Sequence, residues 1–297
     1  MRIKKVTFEA AAGQALSGIS VGMVLFLIAA GLSIIFGTLK VLNLAHGSIY
    51  MVGGFLCYGF TSTFAHVPGI FWWTLIVAPI VVALIGGLIE IFLLRRIYAQ
   101  DMLYQYILTF GLILIIGEIC KFIWGVGYHT VNAPWPVNGK TFIWGLSFPV
   151  YNLFLIGCGI AIFLGILALM RYTGLGRTIR AVTFNREMAN ALGINVPRVY
   201  TGVFMFGCWL GGLAGTLMPP MSVVALGSDM AVIIECFIIV VIGGLGSLPG
   251  AFFGAIILGL VTAFGIYIIP KLAVAFAFML MIVVLIIRPW GLMGKPE

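Results

Sequence analysis

Long apolar runs, many of them about twenty residues, fill most of this chain and restrict its fold more than any other feature. An α-helix needs about 20 apolar residues to cross the hydrocarbon core of a bilayer. Charged residues make up only 8% of the 297 residues, against about a quarter in a soluble domain. Only helices and closed barrels satisfy their backbone hydrogen bonds in lipid, and these runs are long rather than alternating. The sequence therefore predicts an all-α, polytopic transmembrane helix bundle.

The length leaves room for about eight to ten spans and for no sizeable soluble domain, so we expect one transmembrane domain over residues 1–297. Nine segments are predicted spans: 14–36, 44–64, 70–94, 104–124, 149–170, 199–218, 229–243, 250–268 and 271–288. The seventh is short and runs directly into GGLGSLPG, so its helix is predicted to end inside protein rather than in lipid. The stretch Phe36–Gly47 is irregular in the same way.

One segment interrupts the apolar pattern. Residues 171–198, RYTGLGRTIRAVTFNREMANALGINVPR, carry five of the 16 lysines and arginines. A helix is predicted to start near Thr178 and to end at Gly193, with Pro197 shortly beyond it. Its mixture of apolar and charged positions indicates a short amphipathic helix. Such a helix either lies on anionic lipid or contacts a soluble partner, and the pattern leaves both open.

Basic loops stay in the cytoplasm, which orients the chain. With nine spans and residues 171–198 inside, most of the basic residues are inside, including Lys40, Arg95, Arg96, Arg288 and Lys295. The first residues, with Arg2, Lys4 and Lys5, are then outside. Either this tail is an exception, or a re-entrant segment near residues 36–47 reverses the parity. The net charge of +8 indicates orientation rather than nucleic-acid binding.

Several classes of enzyme are excluded. The chain has no Walker A sequence, so it does not hydrolyse nucleotide itself. Gly18–Gly22 matches the GxSxG pattern of hydrolases, but it lies inside an apolar helix with no preceding strand. His46, His66 and His129 lie far apart without metal-ligand spacing. We therefore expect no catalytic residue, no bound metal and no cofactor on this chain.

The cysteines and glycines have structural interpretations. Each cysteine stands alone in apolar sequence and is expected to be a small buried hydrophobe rather than part of a disulfide. Glycines at i, i+4 spacing predict helices in close contact. They are Gly18/Gly22, Gly207/Gly211/Gly215 and Gly250/Gly254.

Two sets of polar residues are candidates for a substrate pathway. Glu235 lies in IIECFII with no basic residue within four positions, so it either faces a pathway or forms a structural interhelical hydrogen bond. Glu118 and Lys121, by contrast, can pair on one helix. The second set is Asn43, His46 and Ser48, which either cap a helix start, with Asn43 as the N-cap, or line a pathway.

Three blocks of this sequence resemble a known family. They are Gly31–Phe55, Arg177–Ile194 and Val241–Gly259, in the family's order and spread over nearly the whole chain. The chain resembles the LivH-type permeases of bacterial branched-chain amino acid ABC importers. It departs from them at Phe184, where such permeases often carry a polar residue, and at Glu235, whose position varies in charge among relatives.

The resemblance implies a multi-pass permease in the bacterial inner (cytoplasmic) membrane that imports branched-chain or other neutral amino acids. Its partners would be a second homologous permease, two cytoplasmic ATP-binding subunits that hold ATP and magnesium, and an extracytoplasmic substrate-binding protein. The segment Arg177–Gly193 would be the helix that couples to the ATPase. Its coupling residues would be Arg177, Arg180, Asn185, Glu187, Met188, Ala189 and Gly193. Two alternatives are a permease for urea or another small solute, and an ion-coupled transporter with Glu235 as proton site.

Overall fold

The computed structural model describes residues 8–98, 100–143 and 146–294, and this part of the chain is almost entirely helical. The helices are α1 (Phe8–Leu39), α2 (His46–Thr63), α3 (Ile70–Phe92), α4 (Met102–Trp124), α5 (Val150–Tyr172), α6 (Gly174–Phe184), α7 (Arg186–Ala191), α8 (Val196–Leu217), α9 (Ser228–Gly243), α10 (Leu248–Ile268) and α11 (Ala273–Ile287). Before α5, β1 (Lys140–Ile143) pairs antiparallel with β2 (Leu146–Pro149). The predicted all-α class is confirmed.

Each of the nine predicted spans coincides with a helix. In the described part of the chain, α1, α3, α4, α5, α8 and α10 are long and apolar enough to cross a membrane. The other three predicted spans are α2, α9 and α11, with 18, 16 and 15 residues. These shorter helices pack against the long ones rather than standing alone in lipid.

Helix α1 forms the centre of the bundle and is the most buried of the long helices. It crosses α10 in antiparallel fashion where small residues face each other. A Cβ added to Gly18 would lie 2.7 Å from the Gly259 carbonyl oxygen, and one added to Gly22 would lie 2.7 Å from that of Ala255. The close approach predicted at this glycine pair is confirmed, and it is backbone against backbone.

A second close contact joins α8 to α1 and α2. Gly207 packs on Ile35 and on the carbonyl of Gly31, while Gly215 packs on the backbone of Tyr50. Gly211 faces the ring of His46 at 3.3 Å from a built Cβ. The predicted glycine stripe on α8 is therefore used along its whole length.

The two ends of the bundle can be identified from α1. Its C-terminal end, at Gly37 and Thr38, shares a groove with Ile179 of α6. Its N-terminal end, at Gly13, lies beside Phe148 of β2. Because α1 extends from one end of the bundle to the other, its first residues lie at the opposite end from α6. The irregular segment that follows α1 therefore does not reverse the predicted parity of the spans. Arg2, Lys4, Lys5 and Lys295 lie outside the described residues.

Helix α9 ends inside the protein, as predicted. The backbone N–H groups of Leu292 and Met293 donate to the carbonyls of Ile242 and Gly243, at 2.8 and 3.1 Å. The segment after α11 thus donates hydrogen bonds to carbonyls that the last turn of α9 leaves unpaired. This arrangement allows a helix to stop short within the bundle.

Candidate functional site

The segment between α1 and α2 turns back into the bundle. The Asn43 side chain is buried, and its Oδ1 accepts a hydrogen bond from the Ala45 N–H at 3.1 Å. Helix α2 begins at His46, with Ala45 at the N-cap position and no side-chain cap. The prediction that Asn43 is the N-cap is wrong by two residues, because its amide closes the turn before the helix.

His46 holds the start of α2 deep in the bundle. Its side chain is fully buried, and Nε2 lies 3.2 Å from the Ile28 carbonyl oxygen of α1. A Cβ on Gly31 would come within 2.9 Å of Nε2, so the ring fits only because glycine faces it. Ile28 and Gly31 precede the end of α1 by about 12–16 Å of helix rise. Helix α2 therefore starts well inside the bundle.

Ser48 connects this start to α9. Its Oγ donates to Oδ2 of Asp229 at 2.8 Å, and Oδ1 of Asp229 accepts from the Met230 N–H at 3.0 Å. Gly47 packs directly on the Asp229 backbone. Asp229 is only 5% exposed. The sequence gives no signal of this contact, because Ser48 and Asp229 are 181 residues apart in the chain.

The four pathway candidates separate into two places. Asn43, His46 and Ser48 lie together in the buried break between α1 and α2. Glu235 lies on α9, partly exposed and within electrostatic range of the Tyr50 hydroxyl. No described basic side chain forms an ion pair with Glu235, whereas Glu118 pairs with Lys121 at 3.1 Å as predicted.

The basic segment forms two helices rather than the single one predicted from Thr178 to Gly193. Thr173 caps α6 by accepting from the Gly176 N–H at 3.2 Å, and Asn185 caps α7 by accepting from the Met188 N–H at 2.9 Å. Asn185 has extended backbone geometry (φ −154°), which breaks the helix. A side-chain cap competes with helix continuation, and here the asparagine cap prevails.

Gly193 ends α7, as predicted. It adopts a positive φ of 85°, and its N–H donates to the Asn190 carbonyl while the Ile194 N–H donates to that of Ala189, both at 3.0 Å. This geometry closes the end of the helix and favours glycine. The position is open, with no atom within 4 Å of a built Cβ.

The predicted coupling residues differ in what they face. Arg177, Asn185, Glu187 and Met188 are exposed. Ala189 is buried with Val182 and Val196 in a small cluster between the short helices and α8. Arg180 donates to the Met170 carbonyl at the end of α5, so it fastens α6 to the bundle.

Large apolar side chains of this segment are left uncovered, and three of them lie between the end of α6 and the end of α7. Phe184 is 93% exposed, Leu192 is 75% exposed and Met188 is 59% exposed. We call these three residues the apolar tip. Phe184 is the last residue of α6, Met188 lies in α7, and Leu192 is the C-cap of α7. Several large apolar side chains exposed on one short segment are typical of a contact surface.

A buried ionic network lies beside the same segment. Glu90 of α3 is fully buried, and its Oε2 lies 2.8 Å from Nη2 of Arg95 and 2.8 Å from Oγ1 of Thr201 on α8. The Tyr98 hydroxyl donates to Oε1 at 3.0 Å, and burial together with the Glu90 charge raises the pKa of Tyr98, which keeps its hydroxyl protonated. Sequence reasoning missed this network.

A groove of about 330 Å³ connects this network to α7. Arg95, Tyr98 and Tyr200 form one wall, and Arg186 and Glu187 form the other. The end of α3, the start of α8 and α7 therefore share one surface. In the part of the chain described above, no three His, Cys, Asp or Glu side chains come together as metal ligands.

The sequence matches a family model described as the branched-chain amino acid transport system, permease component, over residues 14–285. The chain belongs to this family. Its members are transport permeases and not enzymes, so this permease is a multi-pass membrane transport subunit. Its most polar segment, α6–α7, lies within the matched region.

Curated relatives extend over nearly the whole permease. It is 28% identical to the high-affinity branched-chain amino acid transport system permease protein LivH of Escherichia coli K12, over 96% of each chain. It is 27% identical to BraD of Pseudomonas aeruginosa PAO1, also over 96% of each chain. A probable LivH of Methanocaldococcus jannaschii is 29% identical over 91% of this chain and 88% of the relative.

One solved structure shares the fold of this permease. PsaBC from Streptococcus pneumoniae in complex with Fab matches with a TM-score of 0.51 and 15% sequence identity. The match covers 92% of this chain and 91% of that chain. At this identity the likeness concerns the fold alone.

Proposed function

We propose that this permease is the membrane subunit of an ATP-driven importer of branched-chain or other neutral amino acids in a bacterial inner membrane. The observation that carries the proposal is the apolar tip: three large hydrophobic side chains presented by short helices outside the spanning bundle. Aromatic side chains and methionine, such as Phe184 and Met188, are enriched at the cores of protein interfaces. The partner proposed for this surface is a cytoplasmic ATPase.

The contacts of the short helices would transmit a displacement from the ATPase to the membrane-spanning bundle. Caps from Thr173, Asn185 and Asn195 fix the starts of α6, α7 and α8. The Arg180 side chain joins α6 to the end of α5, and the Ala189 cluster joins α7 to α8. A displacement of the apolar tip therefore moves α5 and α8 with it, and α8 packs on α1, α2 and α3.

The other partners follow from the same proposal. Two ATPase subunits hold ATP and magnesium, so this chain needs no nucleotide site. A second permease completes the pathway, and an extracytoplasmic binding protein delivers substrate at the end opposite α6–α7. A groove at that end, between the α2–α3 loop and the segment that follows α4, presents Trp135, which is 80% exposed.

For the pathway, we propose that Asn43, His46 and Ser48 form the movable contact between α1, α2 and α9, and that Glu235 faces the substrate. The buried Ser48–Asp229 hydrogen bond joins α2 to α9. A movement of one helix relative to the other would have to break it. The partly exposed Glu235, without a basic partner, also supports a second candidate, an ion-coupled transporter with Glu235 as the proton site.

The apolar tip provides the test. Phe184→Ser combined with Leu192→Ser should weaken copurification of the ATPase and lower ATP-dependent leucine uptake in proteoliposomes by about tenfold or more, since interface anchors are commonly worth 2 kcal/mol or more. The matched control is Leu175→Ser, which removes a 68% exposed side chain from the other end of α6. This variant should retain both the copurification of the ATPase and the ATP-dependent uptake of leucine. Normal ATPase binding by the double variant would refute the coupling proposal, and uptake driven by a proton gradient alone would favour the second candidate.

A further inference from the structure

A small cavity opens at the end of the bundle away from α6–α7. Its volume is about 200 Å³, and it lies between α2, the outer end of α8 and the first turns of α9. Helix α8 starts beside α7 and ends at Leu217, and Met218, the next residue, lines the cavity. Val224, also in the lining, pairs with His129 in the segment that follows α4. The cavity therefore faces the side from which an importer receives its substrate.

The wall of the cavity is mostly aliphatic. Met51, Met218, Val224 and Val232 supply its apolar surface, and Tyr50 and Ser228 add hydroxyl groups. Its volume is smaller than the roughly 300–1,000 Å³ typical of pockets for drug-sized ligands, and larger than an apolar cavity of about 150 Å³ that holds benzene. A branched aliphatic side chain is the kind of group that such a wall accommodates.

A carboxylate lies next to the cavity lining along α9. Ser228, Val232 and Glu235 follow each other at i, i+4 and i+7 on α9, so they share one helix face. The first two line the cavity, and Glu235 lies one turn deeper. Tyr50, also in the lining, is within electrostatic range of Glu235. The described basic side chains leave Glu235 without an ion pair.

We infer that this cavity is a binding site for a neutral amino acid, with the aliphatic side chain against Met51, Met218 and Val232 and the ammonium group at Glu235. A partly buried carboxylate without a cationic partner is costly in the membrane, and a substrate ammonium provides the missing charge. The site adds a defined location to the proposed function and rests on it.

A labelling experiment on the assembled importer tests the inference. Ser228→Cys places a thiol in the cavity, and Cys158→Ser removes the native cysteine that is not fully buried. Leucine at millimolar concentration should slow reaction with an impermeant maleimide at least fivefold. N-acetyl-leucine keeps the aliphatic side chain but lacks the ammonium group, so it should not protect.

Matched variants locate the two halves of the site. Val232→Phe fills the cavity and should abolish both protection and leucine uptake, whereas Ile234→Phe enlarges an exposed residue on the same helix outside the cavity and should leave both intact. Glu235→Gln should abolish protection by leucine. An assembled and ATP-hydrolysing Val232→Phe importer that still transports leucine normally would overturn the site.

The outcomes also separate this inference from the proposed function. Equal protection by leucine and N-acetyl-leucine, or none by either, would overturn the site while ATP-driven leucine uptake by the parent importer upheld the function. No ATP-driven uptake of any neutral amino acid by that importer would overturn both.

Discussion

At the scale of single residues, we expect the substitution of Glu90 to destabilise the fold. Its fully buried carboxylate is held by Arg95, Tyr98 and Thr201. Glu90→Ala should lower the free energy of unfolding by about 3 kcal/mol, at the lower end for a broken buried pair, because the Arg95 side chain is 37% exposed and partly screened. The effect is measured as a drop in the temperature at which the detergent-solubilised protein loses its monodisperse peak.

Glu118→Ala is the matched control for that prediction. Its pair with Lys121 joins side chains that are 73% and 49% exposed, so its loss should cost under about 1 kcal/mol. Equal thermal stability of the two variants would contradict the structural importance of the Glu90 network.

Gly193 is the second residue whose substitution has a definite sign. Its φ of 85° is unfavourable for a β-branched residue, although the space around it is open. Gly193→Val should therefore distort the end of α7 and reduce ATP-dependent uptake severalfold, while Gly193→Asn, which tolerates this geometry, retains most of it. Gly202→Val is the control, because Gly202 is also open but has no positive φ. Equal uptake by all three would show that the backbone geometry at Gly193 is unimportant.

At the scale of elements, the α1–α10 crossing limits what the bundle tolerates. Gly259 packs against Gly18 and Gly22, with a built Cβ 2.9 Å from the Gly22 Cα. Gly259→Val should force the two backbones apart and abolish stable expression, because overpacking commonly costs about 1–3 kcal/mol and here the obstacle is backbone. Gly165→Val on α5 meets nothing within 4 Å and should express normally. Size-exclusion profiles of the two variants check the difference.

The elements also show what the sequence could predict. Each of the nine predicted spans coincides with a helix, because the length of an apolar run is a local property of the sequence. The irregular segments near residues 36–47 and 243–250 were also predictable from their polar and glycine content. The split between α6 and α7 was missed because Asn185 can continue a helix or cap the next one, and only the folded backbone decides.

The candidate site was less predictable, because its contacts join distant parts of the chain. Ser48 bonds to Asp229 across 181 residues, and Glu90 to Thr201 across 111. Ala189 lies among exposed residues of the amphipathic segment, yet its own side chain is buried against α8. Residue types alone indicated which groups are costly to bury, and not which partners offset that cost.

At the scale of the whole molecule, the first helix fixes the orientation. Helix α1 starts beside β2 and ends beside α6, so the N-terminal end and the basic segment lie on opposite sides of the membrane. In intact cells, an impermeant maleimide should label Glu9→Cys, which is exposed, and should label Asn190→Cys only after the membrane is opened. Labelling of both from the same side would contradict the topology.

The central claim is that energy enters the bundle from an ATPase through α6 and α7. The most direct measurement is leucine uptake into proteoliposomes that contain the permease pair and the binding protein, with and without the ATPase subunits. We predict uptake only when the ATPases and ATP are present, and persistence of that uptake after the proton gradient is collapsed. Uptake against a concentration gradient without the ATPases would contradict the account.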